Sequence, residues 1–299
     1  MYCHNCGKEN RDTSNYCTSC GTLLHGAVSA NRSRGVRILG AIGTALLCCA
    51  LFLAVQYAVV FVWELKYIAD MYPYGSMNID DISSALSDAF DYITIIADAV
   101  TLFILAIFFR LRRSSLAKSA GWQPAPASRA AAAAVTGLAM QFAVVLVIAL
   151  LPIPESVMDS HADTMTAMTS APVYIRLLSA SVAVPVLEET MFRGIIYRRC
   201  RDAMGVPAAL ILSAAVFAVM HGDLLSGVNA FVFGLLFALL YERFDSVLVP
   251  MAFHAGFNTA AMLIPDGMDS VLFIALCFAA AGVAVIGFYL VFRRENKIS

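Results

Sequence analysis

Two adjacent carboxylates and an arginine interrupt an otherwise apolar stretch, Val186-Leu187-Glu188-Glu189-Thr190-Met191-Phe192-Arg193-Gly194. An ionisable side chain at the centre of a bilayer costs roughly 2.5–3.5 kcal/mol on the insertion scale, so three together imply a use. On a helix Glu189 and Arg193 stand four residues apart, share a face and can pair. Glu188 points about 100° away, at roughly 3.6 residues per turn, and is not consumed by that pair. Three further polar residues follow in apolar surroundings: His221, four residues after Phe217, and His254 with Asn258, the members of each four-residue pair lying on one helix face. Alone, a histidine in a span commonly bonds a neighbouring helix, and an asparagine commonly serves as packing glue. Converging in one bundle, a carboxylate, two imidazoles and an amide can hydrolyse an amide bond. The carboxylate acts as general base on water, and the imidazoles position that water and move its proton. The amide donates to the tetrahedral oxyanion, a role contributing roughly 2.7–4 kcal/mol. The same Glu188, His221 and His254 could instead hold a catalytic zinc with an open fourth position, and residue types do not choose between the two.

The rest of the chain must position these groups. Of 299 residues, 60% are hydrophobic and 14% charged, and the mean hydropathy is +0.77. Soluble domains do not have this composition, and several apolar runs approach the roughly 20 residues that cross a bilayer. The expected fold is all-α, a polytopic transmembrane helical bundle of about eight spans. These fall near 36–63, 92–109, 130–151, 172–198, 206–221, 224–241, 247–264 and 271–292. Asp98, in the second span, is expected to face the bundle interior. The acidic segment 64–91 carries Ile79, Ile82, Leu86 and Phe90 at helical spacing. It reads as a surface amphipathic helix or equally as a lead-in to the second span. His161 falls in the polar segment 152–171 and reads as solvated. Cys48, Cys49, Cys200 and Cys277 sit in or beside apolar runs and read as small hydrophobes. No cleavable signal peptide is expected, because the first apolar run starts after residue 35 and is too long.

Lysine and arginine collect on the cytoplasmic side of membrane proteins. Arg32, Arg34 and Arg37, the 110–129 loop, the Arg198, Arg199 and Arg201 cluster and the C-terminus are basic, whereas 64–91, 152–171 and 265–270 are acidic. Eight spans satisfy all of these with both termini cytoplasmic, giving a multi-pass protein of the cell membrane. Cys3-x-x-Cys6-Gly7 and Cys17-x-x-Cys20-Gly21 are two knuckles with a glycine for the tight turn. Four thiolates make a closed tetrahedral zinc site, and cytosolic cysteines are reduced, so zinc is expected rather than disulfides. A segment this short cannot bury a core, so the metal supplies its folding energy. His4 and His25 read as bystanders. The domain reading is zinc ribbon 1–24, linker 25–35, transmembrane domain 36–292 and cytoplasmic tail 293–299.

Glu188-Glu189-x-x-x-Arg193, Phe217-x-x-x-His221 and His254-x-x-x-Asn258, in that order on successive helices, resemble the three motifs of the CPBP family. That family comprises the CAAX prenyl proteases and bacteriocin-processing enzymes, also called Abi. The resemblance covers about residues 172–264, and the zinc ribbon lies outside it. It implies an intramembrane endopeptidase of about eight helices with Glu188 as the water-activating base. His221 and His254 would assist, Asn258 would serve the oxyanion, and Glu189, Arg193 and Phe217 would support them. It implies a core that works without metal, zinc at Glu188, His221 and His254 being the alternative. The partners expected are membrane lipid, a peptide or membrane-protein substrate and a protein partner for the ribbon, with no nucleic acid. Counting residues inward from the basic helix ends, the site is expected to open toward the cytoplasm, with His221 as its floor. A non-catalytic immunity or scaffold protein of the same fold is the alternative function.

Overall fold

Apolar side chains cover the outside of this protein. Leu47 is 73% exposed, Phe103 66%, Phe278 69% and Tyr289 67%. Such a belt is stable only against lipid tails, and it fixes the chain as a helical membrane protein. The computed structural model describes residues 33–71, 78–167, 171–263 and 270–292, plus Tyr2, Cys3, 7–10, Ser14, 17–19 and Leu24. Among the described residues, five helices are long and apolar enough to cross a bilayer: α1 (Arg34–Met71), α2 (Ile79–Leu111), α4 (Ala127–Leu150), α10 (Leu224–Phe244) and α12 (Ser270–Phe292). The four-residue α3 (Leu116–Ser119) lies between α2 and α4, and α5 (Glu155–Ala167) follows α4. A broken helical path comes next. It consists of α6 (Val173–Leu178), a π segment Ser179–Ala183, α7 (Val184–Glu188), a second π segment Glu189–Tyr197 and α8 (Arg198–Met204). The shorter apolar helices α9 (Val206–Val219) and α11 (Leu248–Leu263) complete the bundle. Among the described residues eight helical paths result, in line with the apolar runs.

Helix starts follow local chemistry. Asn78 caps α2: its side chain accepts from Asp81 N at 2.8 Å, and Asp81 Oδ2 accepts from Asn78 N at 3.1 Å. Residues from 79 onward therefore run without a break into the second span, so the lead-in reading holds and a separate surface helix does not form. The segment 152–171, expected as a loop, instead carries α5.

Close helix contact rests on small residues. A Cβ at Gly137 would meet the backbone of Phe253, and one at Gly256 would meet the backbone of Ala134, so α4 and α11 touch main chain to main chain. Overpacking of this kind costs about 1–3 kcal/mol. Gly256→Ala is expected to lower the thermal midpoint of the detergent-solubilised protein, while Gly40→Ala, with nothing near its Cβ position, should leave it unchanged. Equal midpoints for both variants would discount this contact.

In the N-terminal segment, Cys3 and Cys17 are buried. Gly7 turns with φ +71° and donates its N–H to Cys3 O at 2.9 Å. Cys17 Sγ accepts from Ser19 N at 3.4 Å and from Asn10 Nδ2 at 3.6 Å. Donors aimed at a sulfur suit a thiolate, so these two residues fit zinc ligands. Cys6, Cys20, His4, His25 and the tail 293–299 lie outside the described residues. Ser14 Oγ donates to Asp245 Oδ2 at 3.0 Å, which places the segment against the turn between α10 and α11.

Candidate active site

The broken helix builds the centre of the site. Pro185 has no N–H to give, and Val184 N bonds Ser179 O, five residues back. Ala180 O is thereby left without a helical donor. Asn258 Nδ2 takes that place, donating to Ala180 O at 2.8 Å, and Thr259 Oγ1 donates to Ser181 Oγ at 2.8 Å. One N–H of Asn258 is thus spent on the backbone, and its second N–H is what remains for a ligand.

The π segment that follows carries Glu189 and Arg193 into full burial, both at 0% exposure. Arg193 Nη1 lies 3.1 Å from Glu189 Oε1, as the four-residue spacing predicts. The same oxygen is 3.1 Å from His254 Nδ1. Because Glu189 accepts, His254 donates from Nδ1, which leaves Nε2 as the free nitrogen. That Nε2 faces Glu188 Oε2 at 3.7 Å. A chain Arg193–Glu189–His254–Glu188 therefore runs from the core into the site. Phe237 stacks on the His254 ring at 4.9 Å, and Phe217 lies under the Arg193 guanidinium at 4.2 Å. The Phe217 ring is also 4.5 Å from that of His221 and 6.3 Å from that of His254. His221 Nδ1 is tied to Phe217 O at 2.8 Å, so its Nε2 is the free nitrogen.

Glu188, His221, His254 and Asn258 all line one cavity of about 490 Å³. Asp98 faces it as expected, 2% exposed, and accepts from Gln56 Nε2 at 3.2 Å. Glu188 Oε2 and Asp98 Oδ2 are buried with no hydrogen-bond partner. Buried carboxylate oxygens without donors are costly unless something else occupies the space between them.

One expectation needs correction. His161 is not free in solvent: its Nδ1 is 3.4 Å from Asp223 Oδ1 and 3.2 Å from Ser226 Oγ, and it lines the cavity. Asp223 caps α10 through Ser226 N at 2.9 Å, so α5 is fastened to the turn that carries His221. Burial acts to raise the Asp223 carboxyl, but the Ser226 hydrogen bonds and His161 outweigh it and hold the group below the ordinary carboxylate range. The lining also shows which end of the bundle the cavity reaches. The cavity is lined by α5 (Thr164, Met165), the end of α9 (Met220, His221) and the start of α10 (Ser226, Asn229). The opposite end of the bundle holds Arg198 on Ser119 O and Arg201 on Glu242. α9 is only 14 residues long, about 21 Å at 1.5 Å per residue, and His221 sits just beyond its far end.

Sequence spacing alone does not reveal that Glu189 orients His254, since the two are 65 residues apart. Gln56 did carry a signal, being a lone amide in an apolar run.

A helical membrane protein with a buried carboxylate–imidazole cluster is thus defined, and known proteins agree. Residues 170–260 match the family described as Type II CAAX prenyl endopeptidase, Rce1-like, and residues 2–24 match the zinc-ribbon domain. The candidate membrane peptidase YdiL of Bacillus subtilis (strain 168) is 29% identical over 90 residues, covering 30% of this chain. The match spans 37% of that relative's length. No solved structure matches the chain.

Proposed function

We propose that this chain is an intramembrane endopeptidase in which Glu188 activates the attacking water. The observation that carries the reading is Glu188 Oε2. It is buried and without a hydrogen-bond partner, stands 3.7 Å from His254 Nε2 and faces a peptide-sized cavity. Water placed between Glu188 and the free nitrogens of His254 and His221 loses a proton to the carboxylate as its oxygen bonds to the scissile carbonyl carbon. The carbonyl oxygen becomes the oxyanion, and the second Asn258 N–H is its donor. Collapse breaks the C–N bond, and the proton held by Glu188 passes to the leaving amine, giving one carboxylate and one amine product. Glu189 and Arg193 hold His254 in the tautomer this needs, and Phe217 supports Arg193 and His221. The match to a CAAX endopeptidase family and the likeness to a candidate membrane peptidase support the reaction class. The test is cleavage of a quenched fluorogenic peptide by the purified full-length protein. Activity that depends on Glu188 is expected, and its absence in every lipid and detergent tried counts against a protease.

The proposed core chemistry runs through these side chains without a metal. Glu189 holds His254 Nδ1 and directs Nε2 toward Glu188, an arrangement that suits proton transfer between the two. Zinc belongs instead to the ribbon, held by Cys3, Cys6, Cys17 and Cys20, where it would supply folding energy to residues 1–24. One zinc per full-length chain is expected by elemental analysis. Replacing Cys3 and Cys17 together by serine should remove it and leave peptide cleavage in place. Zinc retained at full stoichiometry in that variant, and lost along with activity on His254→Ala, would return the core to metalloprotease chemistry. Ser14 of this segment meets Asp245 at the arginine-bearing end of the bundle, whereas the cavity lining reaches the other end, so a protein partner rather than the cleaved peptide is the ribbon's proposed ligand. The chain is proposed to lie in the cell membrane with both termini cytoplasmic.

A further inference from the structure

The two ends of the bundle differ in charge, and the lining of the cavity reaches only one of them. Glu64, Asp70, Asp80, Asp81, Asp88, Asp159 and Asp163 gather at the α5 end. The basic residues there are Lys66 and Arg176. Lys66 is paired with Asp70, and Arg176 donates to Met262 O at 2.8 Å. Among the described residues, apart from the buried Arg193, every other lysine and arginine lies at the opposite end or in the segments that flank it. Arg37, Arg110, Arg112, Arg113, Arg198 and Arg201 are among them. Ser14 of the ribbon segment also contacts that opposite end, through Asp245. A bias this one-sided in short loops fixes orientation, with the basic end in the cytoplasm. The α5 end is then extracytoplasmic.

Residues at the mouth sharpen the point. Asp91 and Asp98 line the cavity beneath the acidic rim, and Asp98 Oδ2 is buried and unpartnered. Around them the lining is apolar and aromatic, with Phe52, Phe90, Val144, Ile148, Phe233 and Phe257. Acidic groups above an apolar slot complement a segment that is apolar where it enters and cationic where it emerges. We infer that the site takes polypeptides presented at the extracytoplasmic surface, with an apolar stretch and a basic flank, and does not take cytosolic tails. The inference rests on the proteolytic reading and names its substrate class.

Two measurements test it on the full-length chain. The first is thiol labelling with a membrane-impermeant maleimide on intact cells, with the parent chain as background. Ser160→Cys, on α5, should label to the level reached after permeabilisation, and Ala117→Cys, on α3, should label only after permeabilisation. The reverse pattern overturns the orientation. The second uses a quenched peptide with an apolar centre and lysine flanks, and Glu188→Gln protein as the blank. Right-side-out vesicles should cleave it at least about tenfold faster than inside-out vesicles, and a glutamate-flanked peptide should be cleaved more slowly. Faster cleavage by inside-out vesicles overturns the inference while leaving the protease reading intact. Equal rates for the two flanks overturn the preference for basic segments. No Glu188-dependent cleavage in either vesicle or in detergent sinks the protease reading, and the substrate class with it.

Discussion

Glu188→Gln is expected to lower the rate of peptide cleavage by about 10²–10⁴-fold, the range a positioned general base contributes. Thermal stability should change little. Glu188 Oε2 has no hydrogen-bond partner to lose, and glutamine has nearly the same shape. The substitution leaves Glu189, Arg193 and the 3.1 Å contact to His254 Nδ1 in place, so it removes the base and keeps the frame. Glu189→Gln is the instructive contrast. It weakens the group that fixes the His254 tautomer, so it should lower both activity and folded yield. Purified Glu188→Gln protein that cleaves at the parent rate would remove this carboxylate from the chemistry. A cellular phenotype that survives the substitution would favour an immunity or scaffold role.

Much of this was legible in the sequence, for physical reasons that differ from residue to residue. The Glu189–Arg193 pair follows from helical spacing, which survives even in a π segment because both ends stay on one side of the turn. The inward direction of Asp98 follows from the cost of a charge against lipid. The start of α2 was half legible: the helical spacing of Ile79, Ile82, Leu86 and Phe90 stands in the sequence, but it fits a surface helix and a lead-in to the second span equally well. What stayed hidden depends on contacts between distant segments. Nothing local says that Glu189 meets His254 or that His161 meets Asp223, because each pair is more than 60 residues apart. The break at Pro185 is visible as a proline, yet the π geometry that hands Ala180 O to Asn258 appears only when α11 packs against it. Residue counts give depth along one helix and do not say which end of the bundle the cavity lining reaches. At the basic end α3 and α8 are joined instead, Arg198 donating to Ser119 O at 2.7 Å.

Arg193→Ala is expected to destabilise the protein by about 3–5 kcal/mol, the usual consequence of stranding one partner of a buried ion pair. Glu189 at 0% exposure would be left with His254 alone to meet its charge. The loss extends beyond that pair. Arg193 Cζ lies 4.2 Å from the Phe217 ring centroid and 4.9 Å from that of Phe237, and Nη2 donates to Gly234 O at 3.4 Å. Removing the guanidinium therefore strips the packing under both His221 and His254. Lysine cannot replace it, because a point ammonium cannot fork to Glu189 and Gly234 at once. Folded yield and thermal midpoint should both fall, and cleavage should fall further than yield. The double variant Arg193→Met with Glu189→Leu separates the causes. It leaves no stranded charge, so folded yield should largely return. Activity should not, since nothing then holds the His254 Nδ1 proton and directs Nε2 to Glu188. Recovery of yield and activity together would show that the buried pair serves stability alone. Parent-level yield and activity in Arg193→Ala would overturn the pairing argument itself.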